Sequence, residues 1–142
     1  VESLEGTTDL ERPLTSRGEK QAARMAAWLN QQLPATTRVL VSPARRTQQT
    51  AQALERKFRT VPALAPGASV QAVLEAARWP SAKEPVLVIG HQPTLGMVAS
   101  QLLTGSAQAL AVKKGAVWWL RSREREGEGQ VVLVAALTPE QI

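Results

Sequence analysis

Two short stretches of the 142-residue chain place anion-binding or proton-carrying side chains directly after an apolar run. The first, Val39-Leu40-Val41-Ser42-Pro43-Ala44-Arg45-Arg46, passes from a strand pattern into the start of a helix whose first turn carries two arginines. Cations at a helix amino terminus oppose the macrodipole by about 0.3–1 kcal/mol each, so the pair is locally unfavourable. An anion held between the helix N–H groups and a guanidinium reverses that sign. The alternative is that both arginines are solvated surface groups. The second stretch, Val88-Ile89-Gly90-His91-Gln92-Pro93-Thr94, sets the only histidine at the end of the clearest strand, with Gly90 leaving room beside it and Pro93 opening the next helix. A lone histidine is most often a hydrogen-bonded structural residue. At a strand's carboxyl end, beside a helix amino terminus and facing an arginine from a neighbouring strand, an imidazole can bind a phosphoryl group and stabilise its transition state.

The elements that must position these groups follow from apolar periodicity. Val1 to Glu11 is polar, acidic and aperiodic, the pattern of a loop or frayed terminus. Thr15 is suited to cap a helix reaching about Leu33, with Ala22, Met25, Ala26, Leu29 and Leu33 on one face and Pro34 as its stop. Arg38 to Val41 reads as a strand covered on both faces. Ser42-Pro43 then reads as the cap and first position of a second helix, whose buried side carries Ala51, Leu54 and Phe58. Val61 to Ala65 is a weak strand, and Ser69 caps a third helix with Val70, Val73, Leu74 and Ala77 as its stripe. Val86 to Gly90 is the clearest buried strand, and the helix opened by Pro93 runs to Thr104 and stops at Gly105. Ala116 to Arg121 and Gln130 to Leu137 are strand-like runs joined by the charged stretch Ser122 to Gly129, which predicts an antiparallel hairpin. The order predicts a single domain over residues 1–142, three-layer α/β/α with a mixed, mostly parallel central sheet. In such sheets ligands bind outside the carboxyl ends of the strands, where both stretches lie.

Composition narrows the chemistry. With no cysteine and one histidine, the chain has no disulfide framework, no thiol nucleophile and no zinc site of Cys/His type. A nucleophile within it has to be His91, a Ser or Thr, or a carboxylate, and Glu55, Glu75 and Glu84 read as surface groups. The 17 Lys+Arg against 12 Asp+Glu give a net charge of +5, which favours anionic partners such as phosphate esters. Nucleic acid is not an expected partner, because Arg121, Arg123 and Arg125 alternate with Glu124, Glu126 and Glu128 and nearly self-neutralise. The longest wholly apolar run, Val131 to Leu137, is far short of the ~20 residues of a membrane helix, and the first five residues carry no signal pattern. A soluble, cytoplasmic protein with no membrane partner is expected.

Three stretches in order, Asp9-Leu10-Glu11-Arg12-Pro13-Leu14-Thr15-Ser16-Arg17-Gly18, Leu40-Val41-Ser42-Pro43-Ala44-Arg45-Arg46-Thr47-Gln48-Gln49-Thr50 and Val88-Ile89-Gly90-His91-Gln92-Pro93, resemble the small phosphohistidine phosphatases of the histidine phosphatase superfamily. That superfamily also contains the cofactor-dependent phosphoglycerate mutases and acid phosphatases, and the resemblance covers essentially the whole chain from Asp9. It implies a phosphoglycerate mutase-like fold and a phosphatase that hydrolyses phosphohistidine on a signalling protein through a phosphohistidine enzyme intermediate. It implies no cofactor and no metal. It also implies that Arg46, the arginine of the Ser-Pro-x-x-Arg motif, binds phosphate and that His91 is the second active-site histidine. Arg12 either lines the same pocket or is held in a salt bridge.

One family motif is missing. The family opens on a central strand ending in Arg-His-Gly or Arg-His-Ala, whose histidine becomes phosphorylated, and the chain contains no such motif. Either a short amino-terminal segment carrying it precedes Val1, or the protein is a noncatalytic phosphate-binding relative lacking the nucleophile. The first is expected, because a sheet without its middle strand exposes unpaired backbone and apolar surface. The matching structural expectation is a gap between the strands of Val39 and Val86, with Arg46 and His91 facing a common pocket at its mouth. A small-molecule phosphomonoesterase of the same superfamily is a further reading. Only 44 residues separate Arg46 from His91, so any cap is small and the site open, which suits a protein substrate better.

Overall fold

A computed structural model describes residues 9–125 and 127–142; of the loop expected over Val1 to Glu11, residues 1–8 lie outside them and Asp9–Glu11 forms a 3-10 turn, and Glu126 of the hairpin also lies outside. A 3-10 turn, Asp9–Glu11, leads into α1 (Ser16–Gln32), β1 (Arg38–Val41), α2 (Arg45–Gln52), β2 (Arg59–Thr60), α3 (Val70–Ala77), β3 (Val86–Ile89), α4 (Thr94–Thr104), β4 (Val117–Arg125) and β5 (Glu128–Leu137). The helix ends obey local side-chain chemistry. Thr15 Oγ1 accepts from the Gly18 N–H at 3.0 Å, Ser69 Oγ accepts from Ala72 N–H at 3.0 Å, and Gly105 closes α4 at φ 82°.

β1 is the middle strand of a parallel sheet in the order β2-β1-β3. Its alternation sets the layers. Val39 and Val41 pack with Met25, Ala26 and Leu29 of α1 and with Ala51 and Leu54, whereas Leu40 packs with Leu64 and Val73. A strand apolar on both faces is buried only between two helical layers, and each such side chain stabilises the fold by about 1.5–3 kcal/mol. β4 and β5 form a separate antiparallel pair, bulged between Trp119 and Leu120. Trp119 meets Trp28 of α1 edge-to-face at 6.4 Å, and Val117 packs on the α1–β1 cluster, which docks the hairpin on the α1 side. The α/β architecture with parallel and antiparallel strands is therefore present, its strands divided between two sheets. No helix among the described residues is long and apolar enough to cross a membrane.

Several local expectations are corrected. There is no gap between the strands of Val39 and Val86: β1 and β3 pair along their whole length, from Arg38 opposite Val86 to Val41 opposite Ile89. The break falls instead between β3 and the hairpin, and among the described strands β3 pairs only with β1. β3, the clearest buried strand by sequence pattern, is accordingly only half-buried throughout. The strand expected over Val61 to Ala65 is displaced to Arg59–Thr60, and Pro62–Leu64 forms a 3-10 turn, because Pro62 has no N–H for a ladder and its fixed φ suits a helical first turn. The hairpin strands extend into the charged stretch, to Arg125 and from Glu128, and Arg121 and Arg123 are exposed.

Gly96, buried inside α4, marks a close approach. A Cβ there would overlap the Leu110 carbonyl, a backbone group that cannot swing aside as a side chain can. Gly96→Ala gains about 1 kcal/mol of helix propensity. The overlap outweighs it, and a net destabilisation of about 1–3 kcal/mol is expected in urea unfolding; a variant as stable as the parent would show that the 106–112 segment yields freely.

Candidate active site

The parallel register levels Val41 with Ile89, and the Ser42 N–H donates to the Ile89 carbonyl at 3.0 Å. The segments leaving β1 and β3 therefore emerge side by side at the carboxyl end of the sheet, where α2 and α4 begin. Arg46, in the first turn of α2, and His91, just beyond β3, meet there: a guanidinium nitrogen of Arg46 lies 3.1 Å from Nδ1 of His91. The same guanidinium donates to the Asp9 carbonyl at 2.7 Å and to the Asp9 carboxylate at 3.3 Å. Arg12 donates to the other carboxylate oxygen of Asp9 at 3.4 Å. One carboxylate is thus shared by two guanidiniums whose side chains are only 16% and 19% exposed. Arg12 is in a salt bridge and in the same cluster at once, and its Nε is buried without a hydrogen-bond partner among the described residues. The 9–14 segment is pinned to α2 by the Leu14 N–H, which donates to Gln49 Oε1 at 2.7 Å. Arg45, next to Arg46, is exposed, so the two arginines divide between surface and site.

Ser42 is not the cap of α2. Ala44 occupies that position, because Pro43 holds the preceding residue extended and the helix starts later. Ser42 is fully buried, and its Oγ stands 2.6 Å from Nε2 of His91. The imidazole is therefore held at both nitrogens. Loss of water drives its pKa down to about 4, and the Arg46 charge pushes the same way; Asp9 opposes them, and Arg12 adds a smaller lowering than Asp9 takes back. His91 is neutral at pH 7. Asp9 also loses water, which raises its pKa, but Arg46 and Arg12 outweigh that and hold its carboxyl below the ordinary range. Behind His91, Gly90, Thr94 and Leu95 close against Ala65 and Ala68, and Thr94 Oγ1 donates to the Ala68 carbonyl at 2.6 Å. Gln92 ties the neighbouring segment down, its Oε1 accepting from Gly96 N–H at 2.8 Å and its Nε2 donating to the Val112 carbonyl at 3.1 Å.

Of the residues singled out from sequence, Arg46, His91 and Arg12 fall in one cluster. Asp9 and Ser42 belong to it without having been expected there. Ser42 sits in the same Ser-Pro-x-x-Arg stretch as Arg46, but a serine before proline reads locally as a cap. Asp9 lies 37 positions from Arg46, and no periodicity reports that distance. Glu55, Glu75 and Glu84 are exposed surface groups. Among the described residues no three His, Cys, Asp or Glu side chains are grouped to hold a metal ion. The arrangement can seat a small multivalent anion: two guanidiniums supply donors, one imidazole faces them, and the Asp9 carboxylate occupies that place as an internal anion.

The family described as "Histidine phosphatase superfamily (branch 1)" matches residues 2–69. Phosphohistidine phosphatase SixA of Escherichia coli (strain K12) is 34% identical over 112 residues, covering 72% of this chain and 69% of that protein. Among solved structures, the "Putative Phosphohistidine Phosphatase SixA" from Nakamurella multipartitia superposes with a TM-score of 0.76 at 26% identity, over 93% of this chain and 87% of that one. The protein histidine phosphatase SixA complexed with tungstate superposes with a TM-score of 0.71 at 26% identity, over 96% and 90%.

Proposed function

From the fact that this chain belongs to the histidine phosphatase superfamily, we propose that it is a phosphohistidine phosphatase acting on a phosphorylated histidine side chain of a signalling protein. The observation that carries this is the Arg46–His91 contact at 3.1 Å, with a carboxylate already seated on the same guanidinium and on Arg12. A phosphoryl group offers the same guanidiniums more oxygens and more charge than Asp9 does. Arg46 and Arg12 hold its nonbridging oxygens, and His91 donates to one of them from Nδ1 once it has taken up a proton.

Chemistry proceeds by two displacements. An imidazole nitrogen attacks phosphorus in line as the P–N bond to the substrate histidine breaks, and the substrate ring, which already carries a proton on its other nitrogen, leaves as neutral imidazole. Water then attacks the phosphorylated enzyme histidine, releasing inorganic phosphate and returning the imidazole. His91 is not the attacking group, since both its nitrogens are engaged by Arg46 and Ser42. The resemblance assigns attack to the histidine of an Arg-His-Gly strand, a motif not found between Val1 and Ile142. Because the substrate ring carries its proton before the P–N bond breaks, no carboxylic acid has to protonate the leaving group, in keeping with Asp9 being held ionised.

The test is turnover by the full-length protein of a phosphohistidine protein against sugar phosphates, followed by 31P NMR. A preference for the phosphohistidine protein of at least about tenfold in kcat/KM, close to 1.4 kcal/mol, is expected. A preference for sugar phosphates would make it a phosphomonoesterase. Binding of inorganic phosphate without turnover of either would make it a noncatalytic phosphate binder.

A further inference from the structure

Building on the role proposed above for His91, we infer that Ser42 is a positioning residue: its hydroxyl holds the Nε2 edge of His91 so that Nδ1 is the nitrogen presented to Arg46 and the phosphoryl group. The geometry leaves little choice of proton placement. A guanidinium has only donors, so His91 Nδ1, 3.1 Å from Arg46, must accept. A neutral imidazole carries one N–H, which then resides on Nε2 and donates to Ser42 Oγ at 2.6 Å.

Ser42 is itself immobilised on every side. Its N–H donates to Ile89, its carbonyl accepts from Thr47 Oγ1 at 3.0 Å and Gln48 Nε2 at 2.9 Å, and its side chain is fully buried. The hydroxyl therefore fixes the ring rather than following it. The same proton placement excludes Ser42 as a nucleophile activated by His91, because the nitrogen facing the hydroxyl already bears a proton. When an anion displaces Asp9, His91 can gain a second proton only at Nδ1; that nitrogen then stops accepting from Arg46, and its N–H donates instead to an oxygen of the anion held by the guanidinium. Ser42 thereby converts proton uptake into a hydrogen bond of fixed direction.

The experiment is imidazole 15N NMR on the full-length protein, with the His91→Asn spectrum identifying the His91 signals. At pH 7 the free protein is expected to show Nε2 protonated and exchange-protected and Nδ1 unprotonated; with inorganic phosphate bound, both nitrogens are expected to be protonated. Nδ1 protonated in the free protein would overturn the assignment, with no variant needed. Ser42→Ala is expected to lose the exchange protection and to lower kcat for a phosphohistidine protein by about tenfold, with a smaller change in KM. Retention of both protection and rate in a folded Ser42→Ala protein would also overturn it. The proton placement is read without turnover, so a protein with the expected spectrum that spares phosphohistidine refutes the proposed substrate and leaves the role of Ser42 standing.

Discussion

Arg46→Ala is expected to lower kcat/KM for a phosphohistidine protein by about 10²–10³-fold while leaving the protein folded. Among the described residues, Arg46 is the one side chain that hydrogen-bonds with His91, the Asp9 carboxylate and the Asp9 carbonyl together. Its loss removes the central donor from the anion seat and unties the 9–14 segment beside it. The stability cost is small by comparison, because a partly exposed ion pair contributes about 0–1 kcal/mol. A melting temperature lower by about 2–4 °C is expected. Arg46→Lys tests the geometry of the site. A lysine restores the charge as a point but not the planar fork that reaches His91 and Asp9 at once, so most of the loss should persist. Kinetics of phosphate release, read beside a thermal melt of each variant, checks the prediction; a folded Arg46→Ala protein with undiminished kcat/KM would remove Arg46 from the site.

His91→Ala is expected to cost about 10²-fold in kcat and, in addition, to abolish a specific pH dependence of anion binding. In the free protein His91 has a pKa near 4, because it is shielded from water and faces Arg46 and Arg12, with Asp9 opposing and Ser42 as its uncharged contact. A dianion at the seat favours the imidazolium and raises that pKa. The bound state then holds more protons than the free state between about pH 4 and the raised value. By linkage, affinity must increase as pH falls through that window, approaching about tenfold per pH unit, and level off below it. Asp9 stays ionised over the upper part of the window, since its own pKa is depressed. Sulfate is the suitable probe, as it does not titrate between pH 4 and 8. Sulfate affinity measured calorimetrically across that range should rise toward acid in the parent and be flatter in His91→Ala. Equal slopes in the two proteins would place the titrating group elsewhere.

The parts of the fold legible in the sequence are those fixed by groups close in the chain. α1, α3 and α4 begin and end where Thr15, Ser69 and Gly105 dictate, because a cap is a bond between residues two or three apart. β1 was legible because Val39, Leu40 and Val41 are consecutive, apolar and mostly β-branched, and Ser42-Pro43 ends the run, the pattern of a short strand buried on both faces. Arg46 and His91 were legible because each follows an apolar strand into a helix start, a local pattern with a chemical meaning. Ser42 misled for the same reason: the local rule for serine before proline describes a cap, and the tertiary structure gave its hydroxyl to a ring 49 residues away.

By itself, then, the sequence determined the order of helices and strands except over residues 59–65, the lack of cysteine in these 142 residues and the two strand-to-helix junctions that carry Arg46 and His91. Only the tertiary structure decided which strands are neighbours, and with that the site. Pairing β1 directly with β3 in parallel register brings Val41 level with Ile89, and that alone sets Ser42 and Arg46 against the two nitrogens of His91. The physical reason is that strand order and register are chosen by the packing of whole faces, α1 and α2 on one side of β1 and α3 on the other. No residue's neighbours along the chain contain that information.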